Sequence, residues 1–224
     1  MNTTRDIVAQ TLMGLLLLFE TSACCAGQTS AANAPELRDE LISRVERDQE
    51  ARRAAIAWEA VLGVNGIVDK ESLTEEERTA YADVWAAVAE IDRDNTEWLK
   101  NIINDRGWLT YSDVGINASE AAWLLVQHAI EDPLFQRQCL DLMMALPQNE
   151  ISQVNLAMLT DRVLLAEGKH QIYGTQFVIR DGEWVPLRLE DEENVDDRRA
   201  EVGLPPLAEY KAMIEAIRRG EEIE

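Results

Sequence analysis

The chain has few of the residues on which common catalytic and metal-binding motifs depend. Its 224 residues include only two histidines, His128 and His170, and three cysteines, Cys24, Cys25 and Cys139. Cysteines at this spacing form neither a metal-binding motif nor a disulfide framework. The sequence also lacks a glycine-rich phosphate loop, a serine nucleophile elbow and a zinc-protease helix. We therefore predict no bound metal and no cofactor.

Basic residues are scarce as well. There are 21 Lys and Arg against 42 Asp and Glu, which gives a formal net charge of -21. A surface with this excess repels phosphate backbones, so we expect no nucleic-acid partner. The basic pairs at 52–53, 198–199 and 218–219 stand among acidic residues and predict solvated helix faces or salt bridges. The acidic run 190–197 predicts a solvated connection.

No apolar run is long enough to cross a bilayer comfortably. The longest, residues 7–19, has the length of the apolar region of a secretory signal, and small residues follow it. We therefore predict a signal-like segment over 1–23, a polar tether over 24–35 and one domain over 36–224. Ser22, Ala23 and Cys24 resemble a bacterial lipoprotein processing site, so Cys24 is a candidate for lipidation and the only expected link to a membrane. The predicted location is exported, periplasmic or lipid-anchored. The alternative is a cytoplasmic protein whose N-terminal helix packs on its body.

From residue 36 onward the apolar residues recur mainly at helical spacing. Capping and stop signals predict about seven helices, over 36–62, 74–91, 94–107, from 117, from 133, 152–168 and 205–219. The segments 175–180 and 183–187 favour β-structure and flank Asp181 and Gly182, a strong hairpin signal. The predicted fold is mainly α, with about seven helices packed as one domain and one small β-hairpin before the last helix.

Three places in this pattern could carry chemistry. His128 precedes Asp132 by four residues, a spacing that suits an oriented general base, although Asp132 could instead cap the next helix. Asp161 and Arg162 are neighbours that point in different directions, so each needs another partner; Asp161 could orient a histidine, and Arg162 could hold an anionic group. The loop 168–176 concentrates polar groups, including His170 and Tyr173, although its glycines could serve only to end a helix and start a strand.

Several short motifs between residues 92 and 211 together resemble an uncharacterised bacterial family, classed as a domain of unknown function. They are Gly107-Trp108, Gln127-His128-Ala129 with Asp132, Phe135-Gln136, Asn155-Leu156, Leu159-Thr160-Asp161-Arg162, Gln171 with Tyr173-Gly174-Thr175-Gln176, and Asp197-Arg198-Arg199 with Gly203-Leu204. Leu109 and Lys169-His170 depart from the pattern. The resemblance implies no known reaction. It favours His128, Asp161, Arg162 and Tyr173 over His170, and it adds Gln127, Gln171, Thr175 and Gln176 as binding residues.

Two hypotheses about function follow. The first, which we favour slightly, is a binding or interaction module at the cell envelope, with the loop and hairpin as its recognition surface and an unknown small molecule or protein as its partner. The second is a hydrolase or transferase for a small polar or anionic substrate. In that enzyme His128 would be the general base, Asp161 would orient it, Arg162 would hold an anionic group and Tyr173 would donate a proton. The sequence leaves open whether the protein is an enzyme.

Overall fold

A computed structural model describes residues 35–62, 68, 71–180 and 183–218. Within them lie eight α-helices and one antiparallel pair of strands. The elements are α1 (Pro35–Leu62), α2 (Glu75–Arg106), α3 (Tyr111–Val114), α4 (Ile116–His128), α5 (Pro133–Met144), α6 (Gln153–Ala166), β1 (Phe177–Arg180), β2 (Glu183–Pro186), α7 (Val195–Val202) and α8 (Leu207–Arg218). The predicted mainly α class is confirmed.

Helix α4 lies at the centre of the domain. It packs against α1, α2, α5 and α6, and every residue from 121 to 129 is buried. A helix that is apolar around most of its circumference needs neighbours on all sides, which these four helices supply. Because His128 is the last residue of this helix, the packing holds its imidazole inside the domain.

One of the predicted helix boundaries is wrong. The capping signal at Asp94 and Glu97 predicted a new helix, whereas α2 runs unbroken from its capping box at Thr74 to Gly107. No glycine or proline interrupts this stretch, and its buried residues (Val88, Asn95, Leu99 and Ile103) form one continuous stripe. The Asp94 carboxylate instead accepts a 2.7 Å hydrogen bond from Arg44 of α1.

Two short helices were not predicted. Helix α3 begins with a reciprocal capping box between Thr110 and Asp113. Helix α7 begins inside the acidic run that predicted a solvated connection, because Val195 and Arg199 are buried and anchor it to the body. The predicted hairpin is present, with Val178 opposite Val185 and Ile179 opposite Trp184. It precedes α7 and the last helix, α8.

Some of the predictions concern parts of the chain outside the described residues. These are the signal-like segment, the tether with Cys24, and the hairpin turn at Asp181 and Gly182. Among the helices that are described, none is both long enough and apolar enough to cross a membrane.

Candidate functional site

The candidate site is built around His128 and two charged residues on the buried face of α1. Asp48 and Arg52 are four residues apart, so their side chains leave α1 on one face. His128 Nδ1 lies 3.0 Å from Asp48 Oδ1 and 3.0 Å from Arg52 Nε. Arg52 Nε also donates to Asp48 Oδ1 at 3.1 Å. Asp48 is 1% and Arg52 4% exposed, so a buried ion pair orients the imidazole.

The tautomer of His128 decides which imidazole nitrogen is available for chemistry. In one tautomer of the neutral ring Nδ1 accepts a hydrogen bond from Arg52 Nε; in the other Nδ1 carries a proton and donates it to Asp48, which only accepts hydrogen bonds, while Arg52 Nε donates to the same carboxylate. The lone pair of the neutral ring is then on Nε2. A carboxylate that fixes the tautomer of a histidine in this way is the arrangement found in oriented general bases.

Asp92 of α2 completes the charged cluster. It accepts a hydrogen bond from Arg52 Nη2, so one guanidinium bonds two carboxylates. Burial, with the negative charge of Asp48, raises the pKa of Asp92 to about 7 despite the opposing effect of Arg52. Burial would raise the pKa of Asp48 too, but contacts with His128 and Arg52 hold it well below its usual range. Burial, with the charge of Arg52, lowers the pKa of His128 to about 4. Near pH 7 the imidazole is therefore neutral and Asp92 is divided between its two forms.

His128 and Asp92 both face an outer pocket of about 270 Å³ between α2 and the end of α4. Trp85, Val88 and Ala89 form part of its wall and are apolar, while Thr96, Lys100 and Asp132 supply polar groups. Lys100 Nζ donates to the Asp132 carboxylate at 2.5 Å, and Asp132 also caps α5 through Phe135 N. Asp132 thus reaches the pocket but is held by other partners than His128.

A second, much smaller cavity lies against His128. It measures about 10 Å³, the space of a single water molecule. Its lining includes Gln127, Arg162 and Gln176, together with the apolar side chains of Trp123, Leu124 and Met158. Arg162 Nε donates to Gln127 Oε1, whereas the buried atoms Arg162 Nη1 and Gln127 Nε2 have no hydrogen-bond partner. The structure therefore gathers four of the predicted site residues, His128, Gln127, Arg162 and Gln176, around this inner cavity.

The carboxylate of Asp161 has a different role from the predicted one. Its carboxylate accepts hydrogen bonds from the backbone amides of Ile172, Tyr173 and Thr175 at 2.7, 3.0 and 2.9 Å, and from Thr175 Oγ1 at 2.9 Å. The expectation that Asp161 orients His128 is wrong, because Asp48 does so. Asp161 instead fixes the loop that carries Gln176 to the inner cavity.

Buried side chains form hydrogen bonds that fix the rest of that loop. Gln171 is fully buried and bonds the backbone of Gln176 and Leu187. Arg199 of α7, also fully buried, donates to the Tyr173 carbonyl. Arg199 was expected on a solvated face or in a salt bridge. Its side chain is instead buried and holds the loop through this hydrogen bond. Because Gln171, Thr175 and Gln176 are buried, their side chains do not present the recognition surface that we expected of the loop.

Tyr173 and His170 stand apart from the cluster. The Tyr173 side chain is half-buried and lines neither cavity, and burial, with the charge of Asp161, raises the pKa of its phenol. His170 is exposed. The predicted set of His128, Asp161, Arg162 and Tyr173 is therefore divided: His128 and Arg162 share a cavity, whereas Tyr173 belongs to the bordering loop and Asp161 of α6 bonds that loop.

Asp48, Asp92 and His128 are also the described residues best placed to hold a metal ion, since one ligand atom from each lies within 4.8 Å of the others. No metal ligands were predicted from the sequence. The guanidinium of Arg52 already lies within hydrogen-bond distance of all three side chains. A divalent cation would have to displace that positive charge, so the cluster is better matched to Arg52 than to a metal.

Sequence reasoning missed Asp48, Arg52 and Asp92. The apolar stripe predicted for α1 contains Leu41, Val45 and Ala55 but has a gap at the intervening helical positions 48 and 52. Charged residues at the core positions of an amphipathic helix are costly unless they are paired, and that gap was the available signal. Asp92 offered no comparable signal, because its partner Arg52 is 40 residues away.

Comparison with known proteins places the chain in a family. No curated protein and no solved structure matches it. One family model covers residues 67–220, a range that contains Asp92, His128, Asp161 and Arg162, while α1 precedes it. The family resemblance inferred from the sequence is thereby confirmed: the chain belongs to DUF6624, a family of unknown function.

Proposed function

We propose that the outer pocket is the active site of an enzyme that transforms a small polar molecule by general acid–base catalysis. One observation carries the proposal. His128 Nδ1 lies 3.0 Å from the buried carboxylate of Asp48, and the same residue lines a pocket of about 270 Å³. A histidine that only filled the core would need neither the oriented tautomer nor the open space in front of it.

The proton-handling groups are His128 and Asp92. They lie in one pocket, and their environments push their pKa values apart, to about 4 and about 7. Near pH 7 the imidazole of His128 is then neutral, and the carboxyl group of Asp92 readily exchanges its proton. Asp92 would transfer the proton, and His128 would accept a hydrogen bond from the reacting group at Nε2. Asp48 and Arg52 are positioning residues in this scheme.

The size and lining of the pocket indicate the substrate class. A volume of about 270 Å³ lies just below the usual range for ligand sites, which begins at about 300 Å³. The substrate is accordingly a small molecule with an apolar part for Trp85 and Val88 and hydrogen-bonding groups for Thr96 and Lys100. Hydrolysis or group transfer suits these residues, since both reactions need proton transfer at the reacting centre.

The test compares matched variants on a panel of small esters, amides and phosphate esters. His128→Asn keeps a donor toward Asp48 but removes the second ring nitrogen, and Asp92→Asn removes the titrating carboxylate. We expect each to lower kcat/KM at least about a hundredfold. His170→Asn and Asp141→Asn are the controls, because both residues are exposed. Equal turnover by wild type, His128→Asn and Asp92→Asn would refute the proposal.

A second candidate is a module that binds the same kind of molecule without turnover. The low pKa of His128 favours it, since an imidazole with a pKa of about 4 is a weak base near pH 7. Equilibrium dialysis with compounds that stabilise the protein distinguishes the binding module from the enzyme. Binding that depends on His128 and leaves the compound chemically unchanged supports the module.

We also propose that the protein is exported and that Cys24 becomes its lipidated N-terminus. The apolar stretch 7–19 and the small residues before Cys24 support this proposal. Mass spectrometry of protein purified from expressing cells tests it. A chain that begins at Cys24 and carries an acyl mass is expected, and an intact N-terminus would contradict export.

A further inference from the structure

The guanidinium of Arg162 is shielded from water, and no counter-ion among the described residues pairs with it. The residue is 5% exposed, and burial lowers the pKa of its guanidinium to about 9. Among the described residues it forms no ion pair, and its sequence neighbour Asp161 is engaged by the loop. The positive charge of Arg52 lowers the pKa of Arg162 further. An uncompensated buried charge is strongly unfavourable, so a compensating partner is expected at this place.

Two free donors show where that partner sits. Arg162 Nη1 and Gln127 Nε2 are both buried, both lack a partner, and both residues line the inner cavity. Gln127 is oriented for this purpose, since its Oε1 accepts from Arg162 Nε and its amide nitrogen remains free. Both residues line the same small cavity, which has room for one acceptor atom to serve two N–H donors.

The charges around the cavity favour an anion over a neutral acceptor. The buried groups Arg52, Arg162 and Arg199 contribute three positive charges, whereas Asp48 and Asp161 contribute two negative charges and Asp92, with a pKa of about 7, only part of one. His128 is neutral near pH 7. Tyr210 also interacts with Arg162, but burial raises the pKa of its phenol, so it supplies no negative charge.

We propose that the inner cavity is an anion subsite, in which Arg162 and Gln127 hold one halide ion or one carboxylate oxygen. The volume of about 10 Å³ limits the occupant to about one water-sized atom. Because His128 borders both cavities, the oxygen can belong to a free anion or to the carboxylate of a ligand in the outer pocket. The subsite goes beyond the proposed reaction, and its occupancy does not require turnover.

Thermal unfolding with sodium bromide, sodium formate or sodium butyrate tests the proposal. A site filled at about a hundred times Kd raises Tm of a domain of this size by about 5 °C or more. Arg162→Met removes the charge at similar volume, and Gln127→Leu removes the second donor. Arg137→Met, at a partly exposed position on α5, controls for the loss of a surface arginine. We expect wild type and Arg137→Met to show the shift and the two cavity variants to lose it.

The three salts distinguish the sources of the anion. A shift with bromide alone indicates a closed subsite for a free halide ion. A shift with formate or butyrate indicates a carboxylate that places one oxygen in the subsite from the outer pocket, and either result supports the subsite. An equal shift in all four proteins, or none in wild type, overturns it.

A second measurement keeps the test decisive if Arg162→Met does not fold. Chloride NMR of the wild type and of Gln127→Leu compares line broadening of the chloride signal, which bromide should reverse in the wild type alone. Absence of broadening in the wild type overturns the proposal. The experiments test the subsite and the proposed enzyme separately. Anion binding without turnover supports the subsite alone, and turnover without anion binding supports the enzyme alone.

Discussion

The buried cluster predicts opposite pH dependences of stability for two single variants. The pKa of His128 falls from 6.5 to about 4, so between these values the unfolded chain carries a proton that the folded chain lacks, and folding becomes less favourable as pH falls. The pKa of Asp92 rises from 3.8 to about 7, so the folded chain carries the extra proton there and folding becomes less favourable as pH rises. At 1.36 kcal/mol per pKa unit, these contributions amount to about 3 and about 4 kcal/mol. In the wild type they nearly cancel.

Comparing the wild type with a variant that lacks one group isolates the contribution of that group. The stability advantage of wild type over His128→Asn should shrink by about 3 kcal/mol when pH falls from about 7 to about 4. Its advantage over Asp92→Asn should shrink by about 4 kcal/mol when pH rises over the same range. Urea unfolding followed by circular dichroism measures both differences, and subtraction from the wild type removes the background of the other carboxylates. His170→Asn and Asp141→Asn should run parallel to the wild type. Parallel curves for the two buried variants as well would refute the buried cluster.

The structure makes three further predictions about stability, each measurable by urea unfolding. Asp161→Asn leaves several buried amides without a full acceptor and should cost about 3 kcal/mol, with faster hydrogen exchange over 172–175; a loss below about 1 kcal/mol would contradict the role of Asp161 in fixing the loop. Gly174→Ala places a Cβ 2.9 Å from Leu207 at a φ of 67° and should cost about 2 kcal/mol more than Gly107→Ala, whose Cβ has open space; equal losses would show that Leu207 gives way. Thr74→Ala removes the capping box of α2 and should cost about 1 kcal/mol, and an unchanged stability would show that this end of α2 frays in solution.

Local patterns were sufficient to predict most of the fold. Ser152 and Asp132 cap α6 and α5 as the sequence indicated, because a cap depends on residues within one helical turn. The hairpin strands followed from β-favouring residues on either side of a turn signal. The error at Asp94 has the same origin, since a capping pattern in the middle of a helix is overridden when the surrounding stripe is buried throughout.

The candidate site could be predicted only in part. Gln127, His128, Arg162 and Gln176 were selected from the sequence and do line one cavity. The sequence did not reveal that the imidazole is oriented from α1. The distance between Asp48 and His128 is 80 residues along the chain, and no spacing rule connects groups that meet only when helices pack.

The sequence by itself determined the helical class, most of the helix ends and a strong excess of negative charge, because these depend on composition and on neighbours within a few residues. Tertiary structure alone decided which charges are buried and which of them are paired. Packing α1 and α2 against α4 puts Arg52 between two carboxylates, while Arg162 has no counter-ion among the residues that the structure describes. The cost of burying a charge depends on what surrounds it, and those surroundings exist only in the folded chain.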